Sequence, residues 1–84
     1  MIEILYFARI REILGLGSEE LSLAENIKDI ASLIDYLCSV RDARWTSALR
    51  QENLLMAVNQ TMVRANHELR DGDEVAFFPP VSGG

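Results

Sequence analysis

The sequence has 84 residues, 49% of them apolar and 25% charged, and its formal net charge is −5. That length allows one small domain with an economical core, and that composition belongs to a folded globule rather than a disordered chain. The acidic balance disfavours nucleic acid, because such a surface repels phosphate backbones, and the lone Cys38 excludes an internal disulfide and a paired zinc or redox motif.

In chain order, MIEILYF reads as a strand, rich in β-branched and aromatic residues. Alternation puts Ile2, Ile4 and Tyr6 on one face and Glu3, Leu5 and Phe7 on the other. ARIREILG follows with helical spacing at Ile10, Ile13 and Leu14, and Gly15 is its C-terminal stop. LGSEELSL reads as a turn into a second strand, with Leu21 and Leu23 facing inward and a hairpin-like pairing to the first.

The longest amphipathic pattern runs through Ile27, Ile30, Ala31, Ile34, Leu37 and Cys38. It predicts a helix over 27–40 with Asn26 as N-cap and Asp29 in the first turn. Trp45, Ala48 and Leu49 suggest a short helical turn against the core. NLLMAVNQTMV reads as strand, tight turn at Asn59 and Gln60, and strand. Leu69 is expected as a buried plug, Asp71–Gly72 as a turn and Glu74–Phe78 as the last strand. Pro79 and Pro80 end it, since neither can donate a ladder hydrogen bond.

The order strand, strand, helix, strands predicts an α+β domain over 1–84. Its mixed sheet of four to five strands packs on one main helix. If the first and last strands lie side by side in the centre, this is the β-grasp arrangement. One sheet face is then open, and Leu5, Phe7, Ala76 and Phe78 form an apolar patch on it. Periodicity alone leaves open whether Phe7 and Phe78 are instead core; the adjoining tail favours a docking surface.

Side-chain chemistry is sparse. His67 is the single histidine and sits in a polar loop, and the DGDE run lacks the ligand ladder of a calcium loop, so no metal site is expected. No serine has a visible histidine partner, and GLGSEE has no following lysine to make a phosphate loop. Arg9 and Arg11 could bind an anion or a partner carboxylate, although arginines on a short surface helix are more often solvated. No charged and apolar leader pattern opens the chain and no apolar run is long enough for a bilayer, so a cytoplasmic protein without a membrane partner is expected.

The remaining feature is the ending, PPVSGG. Residues 79–84 are expected to form a flexible tail. Pro79 and Pro80 stiffen its exit from the sheet, Val81 offers one apolar anchor, and Ser82 is small. Gly83 and Gly84 lack a Cβ, so the backbone can thread a narrow slot. The functional group at the tip is then a carboxylate that a partner enzyme can activate with ATP as an acyl adenylate.

YFARIREILG, LLMAVNQTMV and LRDGDEVAFFPPVSGG together resemble the small subunit of molybdopterin synthase, a ubiquitin-like sulfur carrier of molybdenum-cofactor biosynthesis. The resemblance spans the chain and implies a ubiquitin-like β-grasp fold. It implies that an ATP-dependent activating enzyme adenylates Gly84, which then becomes a thiocarboxylate. It implies that the tail enters the large subunit, within a heterotetramer, and gives sulfur to cyclic pyranopterin monophosphate. The family's docking patch maps onto Phe7 and Phe78. No cofactor is held permanently, and ATP belongs to the activating enzyme. The alternatives are a Gly-Gly sulfur carrier for thiamine or amino-acid sulfur, a ubiquitin-like protein modifier, or an interaction domain with an inert tail.

Overall fold

The computed structural model describes residues 1–80; the expected tail residues Val81, Ser82, Gly83 and Gly84 lie outside the described residues. The elements are β1 (Ile2–Tyr6), α1 (Ala8–Leu14), β2 (Ser18–Leu21), α2 (Ile30–Val40), α3 (Ala43–Leu49), β3 (Leu55–Val58), β4 (Thr61–Val63) and β5 (Glu74–Phe78). The five strands lie in the order β2-β1-β5-β3-β4. β1 runs parallel to β5, and every other neighbouring pair is antiparallel. This is the β-grasp arrangement, with the first and last strands paired at the centre.

One apolar cluster holds the layers together. Ile2, Ile4, Tyr6, Val75 and Phe77 come from the inner sheet face, and Ile30, Leu33, Ile34 and Leu37 from α2. The single main helix expected from periodicity is joined by two shorter ones. α1 contributes Ile10 and Leu14, and α3 contributes Trp45, Ala48 and Leu49. Leu69 is the buried plug expected of it. Leu21 and Leu23 are half-buried against the cluster, Leu23 lying just past β2. β1 and β2 pair antiparallel as expected, although α1 occupies the connection between them.

The start of α2 corrects the sequence reading. The helix begins at Ile30 and its N-cap is Asp29, not Asn26. Asp29 accepts from the Ser32 N–H at 2.8 Å, and the Ser32 hydroxyl accepts from the Asp29 N–H at 3.0 Å, a reciprocal capping box. The backbone N–H of Ser32, then its hydroxyl, holds the Asp29 carboxyl below its ordinary value. Ile27 is buried, but in a turn closed by its own N–H to the Ala24 carbonyl. It lies three residues before Ile30, so its burial imitates one more helical turn.

The punctuation falls where turn chemistry puts it. Gly15 closes α1 at φ 66° and donates its N–H to the Arg11 carbonyl. Asn59 and Gln60 both adopt positive φ, the two-residue loop whose twist matches the flanking strands. Asn59 also clamps this hairpin to β5: its side chain accepts from the Glu74 N–H and donates to the Asp73 carboxylate, each at 3.0 Å.

A polar cluster unexpected from the sequence ties β2 to the helices. The buried Tyr6 donates its hydroxyl to Glu19 at 2.8 Å. Arg41, just past α2, grips the same carboxylate at 2.8 and 3.2 Å and lies 4.5 Å above the Trp45 ring. Trp45 meets Tyr6 edge-on at 5.4 Å. Burial, then the Glu19 hydrogen bond and charge, push the Tyr6 phenol well above its ordinary value. The fold therefore keeps this phenol neutral while the unfolded chain ionises near pH 10, so stability falls as pH rises beyond about 10. Tyr6→Phe, which keeps the ring, is expected to cost about 1–2 kcal/mol in urea unfolding, and Glu19→Ala, which strands both the phenol and Arg41, about 3 kcal/mol. A Glu19→Ala loss no larger than that of Tyr6→Phe would mean that Arg41 adds nothing.

Candidate functional site: the open face of the sheet

The central strand pair has two differently clothed faces. Tyr6 and Phe77 stack on the core side with ring centroids 6.1 Å apart. One residue on, Phe7 and Phe78 stack on the opposite side at 4.9 Å, within 6° of parallel. Alternation along each strand makes this inevitable once β1 and β5 are in register, with Leu5 opposite Ala76 and Tyr6 opposite Phe77. Phe7 lies just beyond β1 yet still donates its N–H to the Phe77 carbonyl at 3.2 Å. Its own carbonyl accepts from Ile10 and Arg11, so one residue ends the strand and starts α1.

The patch expected from the sequence is therefore on the open face, with one change. Leu5 and Phe78 are half-buried and Phe7 is 40% exposed, but Ala76 is only 6% exposed and forms a floor instead of a contact surface. β3 pairs with β5 so that Leu55 faces Phe78 and Ala57 faces Ala76, and β4 then brings Met62 opposite Ala57. Directly paired residues share a face, so Leu55, Ala57 and Met62 extend the patch. Met62 is 56% exposed, a soft side chain suited to an adaptable contact. Alternation in LLMAV and TMV carried a signal for these residues, but assigning it to the open face needs the pairing register.

Ala8 begins α1 at φ 51°, a left-handed conformation that costs a residue with a Cβ about 1–2 kcal/mol. It turns the chain off the sheet and leaves the Phe7 ring on the open face. Pro79 and Pro80, at the start of the expected tail, are half-buried and line an apolar depression with Phe7, Leu55, Met62 and Phe78. Arg11 is not part of this face. It is exposed in a separate hollow with Glu12 and Gly15, where its guanidinium packs against Gly17 so closely that a Cβ there would lie 3.1 Å from Arg11 Cζ.

The other polar candidates serve the fold. Asp73 accepts from the Arg70 N–H at 2.9 Å inside its turn, and Asp71 pairs with the N-terminal amine. His67 is exposed, and Cys38 is half-buried against the core. Among the described residues, no group of three or more His, Cys, Asp or Glu could hold a metal ion. No helix of the described residues is long and apolar enough to cross a membrane. What this chain offers a ligand is an apolar surface beside the strand that leads into PPVSGG.

Residues 4–84 match the ThiS family. The chain belongs to that family. It is 46% identical over 84 residues to the molybdopterin synthase sulfur carrier subunit of Escherichia coli, covering 100% of both chains. A solved structure described as a putative molybdopterin converting factor subunit 1, from Pyrococcus furiosus, superposes with a TM-score of 0.73 at 31% identity, covering 95% of this chain and 97% of that one. A complex of subunits 1 and 2 of the molybdopterin-converting factor from Helicobacter pylori contains a chain matching at 25% identity and a TM-score of 0.67, covering 99% of this chain and 97% of that one. For this ThiS-family chain, the Pyrococcus likeness accords with the β-grasp sheet described above.

The two aromatic pairs should separate in a stability measurement. Phe77→Ala, at 0% exposure, is expected to cost about 3–5 kcal/mol. Phe7→Ala, which loses a stacked but solvent-facing ring, is expected to cost only about 1–2 kcal/mol. Equal losses in urea unfolding would make Phe7 a core residue and remove the reason to read this face as a docking surface.

Proposed function

We propose that this chain is the sulfur carrier subunit of molybdopterin synthase, acting in the cytoplasm through its C-terminal Gly84. The observation that carries the proposal is the join of two features. An unpartnered apolar face, centred on the Phe7–Phe78 stack, lies at the root of a segment ending in Gly83–Gly84. End-to-end likeness to the Escherichia coli carrier subunit supports the choice of pathway.

The chemistry follows from a carboxylate with no side-chain helpers. On an activating enzyme, the Gly84 carboxylate attacks the α-phosphate of ATP and displaces pyrophosphate. The resulting acyl adenylate is a mixed anhydride, and a sulfur nucleophile displaces AMP from it to leave a thiocarboxylate. Sulfur is softer and more polarisable than oxygen, so the thiocarboxylate is the better nucleophile. Its sulfur bonds to a carbon of cyclic pyranopterin monophosphate at the large subunit as a carbon–oxygen bond at that carbon breaks and the oxygen leaves, and water then cleaves the acyl–sulfur bond to return the carboxylate. Two such transfers build a dithiolene.

The chain's own residues dock and present. Phe7, Phe78 and Leu5 bind the large subunit above the Ala76 floor, and Arg11 makes any further contact only from its separate hollow. Val81, Ser82, Gly83 and Gly84 thread the partner's channel, and Pro79 and Pro80 aim them. The chain holds no permanent cofactor; ATP is bound by the activating enzyme. A net charge of −5 suits basic partner surfaces and speeds encounter with them. By itself the chain catalyses nothing: it is the sulfur-donating part of a heterotetrameric sulfurtransferase.

Intact mass after incubation with activating enzyme, ATP and a sulfur source should rise by the replacement of one oxygen with sulfur. Deleting Gly84 should abolish that gain and leave the melting temperature unchanged. No gain from an activating enzyme proven on another carrier would overturn the proposal, and appearance of the chain on lysines of other proteins would favour a modifier. Phe78→Ala should weaken large-subunit binding by about tenfold or more while the domain stays folded, and calorimetry reads this directly. Cys38→Ser should transfer sulfur normally; loss of transfer in a folded variant would bring the thiol into the mechanism.

A further inference from the structure

The open face carries two adjoining depressions that share Phe7, Met62 and Phe78. They differ in chemistry. The one over the middle of the sheet also has Gln60 and Glu74 in its wall. The other, of about 480 Å³, adds Ala8, Leu55, Pro79 and Pro80, so among the described residues every side chain around it is apolar. A hollow with no polar side chain gives a hydrogen-bonding group no side-chain partner, and favours a hydrocarbon one.

Its position says which molecule supplies that group. Gly84 is four residues beyond Pro80, so a fully extended segment spans no more than about 14 Å. Any protein that takes Gly84 into a reactive centre must therefore bring its surface up to the Pro79–Pro80 rim. The all-apolar depression is then beneath that surface.

Alanine is not the residue type that backbone geometry alone selects at position 8: Ala8 lies at φ 51°, where glycine and asparagine are the better-tolerated types. Its side chain is exposed and forms part of the depression's wall. A methyl group leaves the hollow open and keeps it apolar, whereas asparagine would suit the backbone but fill the hollow with an amide.

We propose that this depression seats one aliphatic side chain of the protein receiving the C-terminal segment, and that Ala8 sets its depth. The inference rests on the carrier reading above and adds a second anchor at the root of the tail, beside the Phe7–Phe78 stack. Ala8 is a specificity-determining contact in docking and takes no part in sulfur chemistry.

The test is calorimetric titration of the full chain with the purified large subunit of molybdopterin synthase, alongside thermal melting. Ala8→Asn is expected to melt at or above the native temperature, because asparagine tolerates positive φ, yet to bind at least about tenfold more weakly, because its amide is buried unsatisfied. Ala8→Gly, which leaves the hollow open, is expected to bind within about threefold of the native chain. Native affinity for Ala8→Asn, with Phe78→Ala still impaired, overturns the second anchor and leaves the docking face standing. Equal weakening by asparagine and glycine also overturns it, since depth would then not be what matters. Native affinity for both Ala8→Asn and Phe78→Ala would remove the docking reading itself. Should Ala8→Asn fail to fold, Leu55→Gln in the same wall is read in the same way.

Discussion

The parallel pairing of β1 with β5 is the constraint on which the rest of the molecule depends. Parallel neighbours cannot be joined by a tight turn, so the chain between them must cross over. That crossover contains all three helices and the other three strands. With the central pair in register, alternation decides both faces at once. Tyr6 and Phe77 enter the core, and Phe7 and Phe78 emerge on the other side. The open apolar face is thus the reverse side of the core packing, made by the same backbone.

The edges of the sheet are held by other means. β2 is short, and its inner face is anchored by a carboxylate as well as by the half-buried Leu21. Glu19 joins the Tyr6 hydroxyl to Arg41, and Arg41 lies over Trp45. A half-desolvated charge pair is weak support for stability in itself, because desolvation opposes the Coulomb gain. Its geometry is specific, however: the bidentate guanidinium and the phenol leave Glu19 few other arrangements. At the opposite edge, Asn59 does the same for the β3–β4 hairpin through hydrogen bonds to Asp73 and Glu74. The central strands are held by apolar packing, and the flanks by directional polar contacts.

This division fits the proposed carrier role, in which the partner's site does the chemistry. Its apolar side chains are largely consumed in one core. What remains outside is a modest patch and a terminal segment. Presenting a carboxylate needs only a firm base and a slender arm. β5 supplies the base because it is bonded on both sides, and the prolines end it because they carry no N–H to continue the ladder. In the proposed carrier role, docking would place the reactive carbon, and proximity in the partner's site would replace local catalytic groups.

Local features were legible in the sequence wherever one residue type answers one local need. Gly15, Asn59 and Gly72 occupy positive φ where turns were expected, and the expected alternation holds along β1 and, apart from the buried Ala76, along β5. The start of α2 was misread for a physical reason: Ile27 is buried by a loop at helical spacing, and burial alone does not distinguish the two. The Glu19–Arg41 clamp, and the joining of Leu55, Ala57 and Met62 to Phe7 and Phe78, depend on which strands become neighbours. Pairing partners distant in sequence leave no local periodicity to read. The sequence by itself determined the strands, the turns, the two aromatics and the Gly-Gly ending. Tertiary structure alone decided that Ala76 is a floor, that Ala8 is left-handed, and that a hollow lined among the described residues by apolar side chains opens beside Pro79 and Pro80, because each follows from strand register and from the packing of α1 against the sheet.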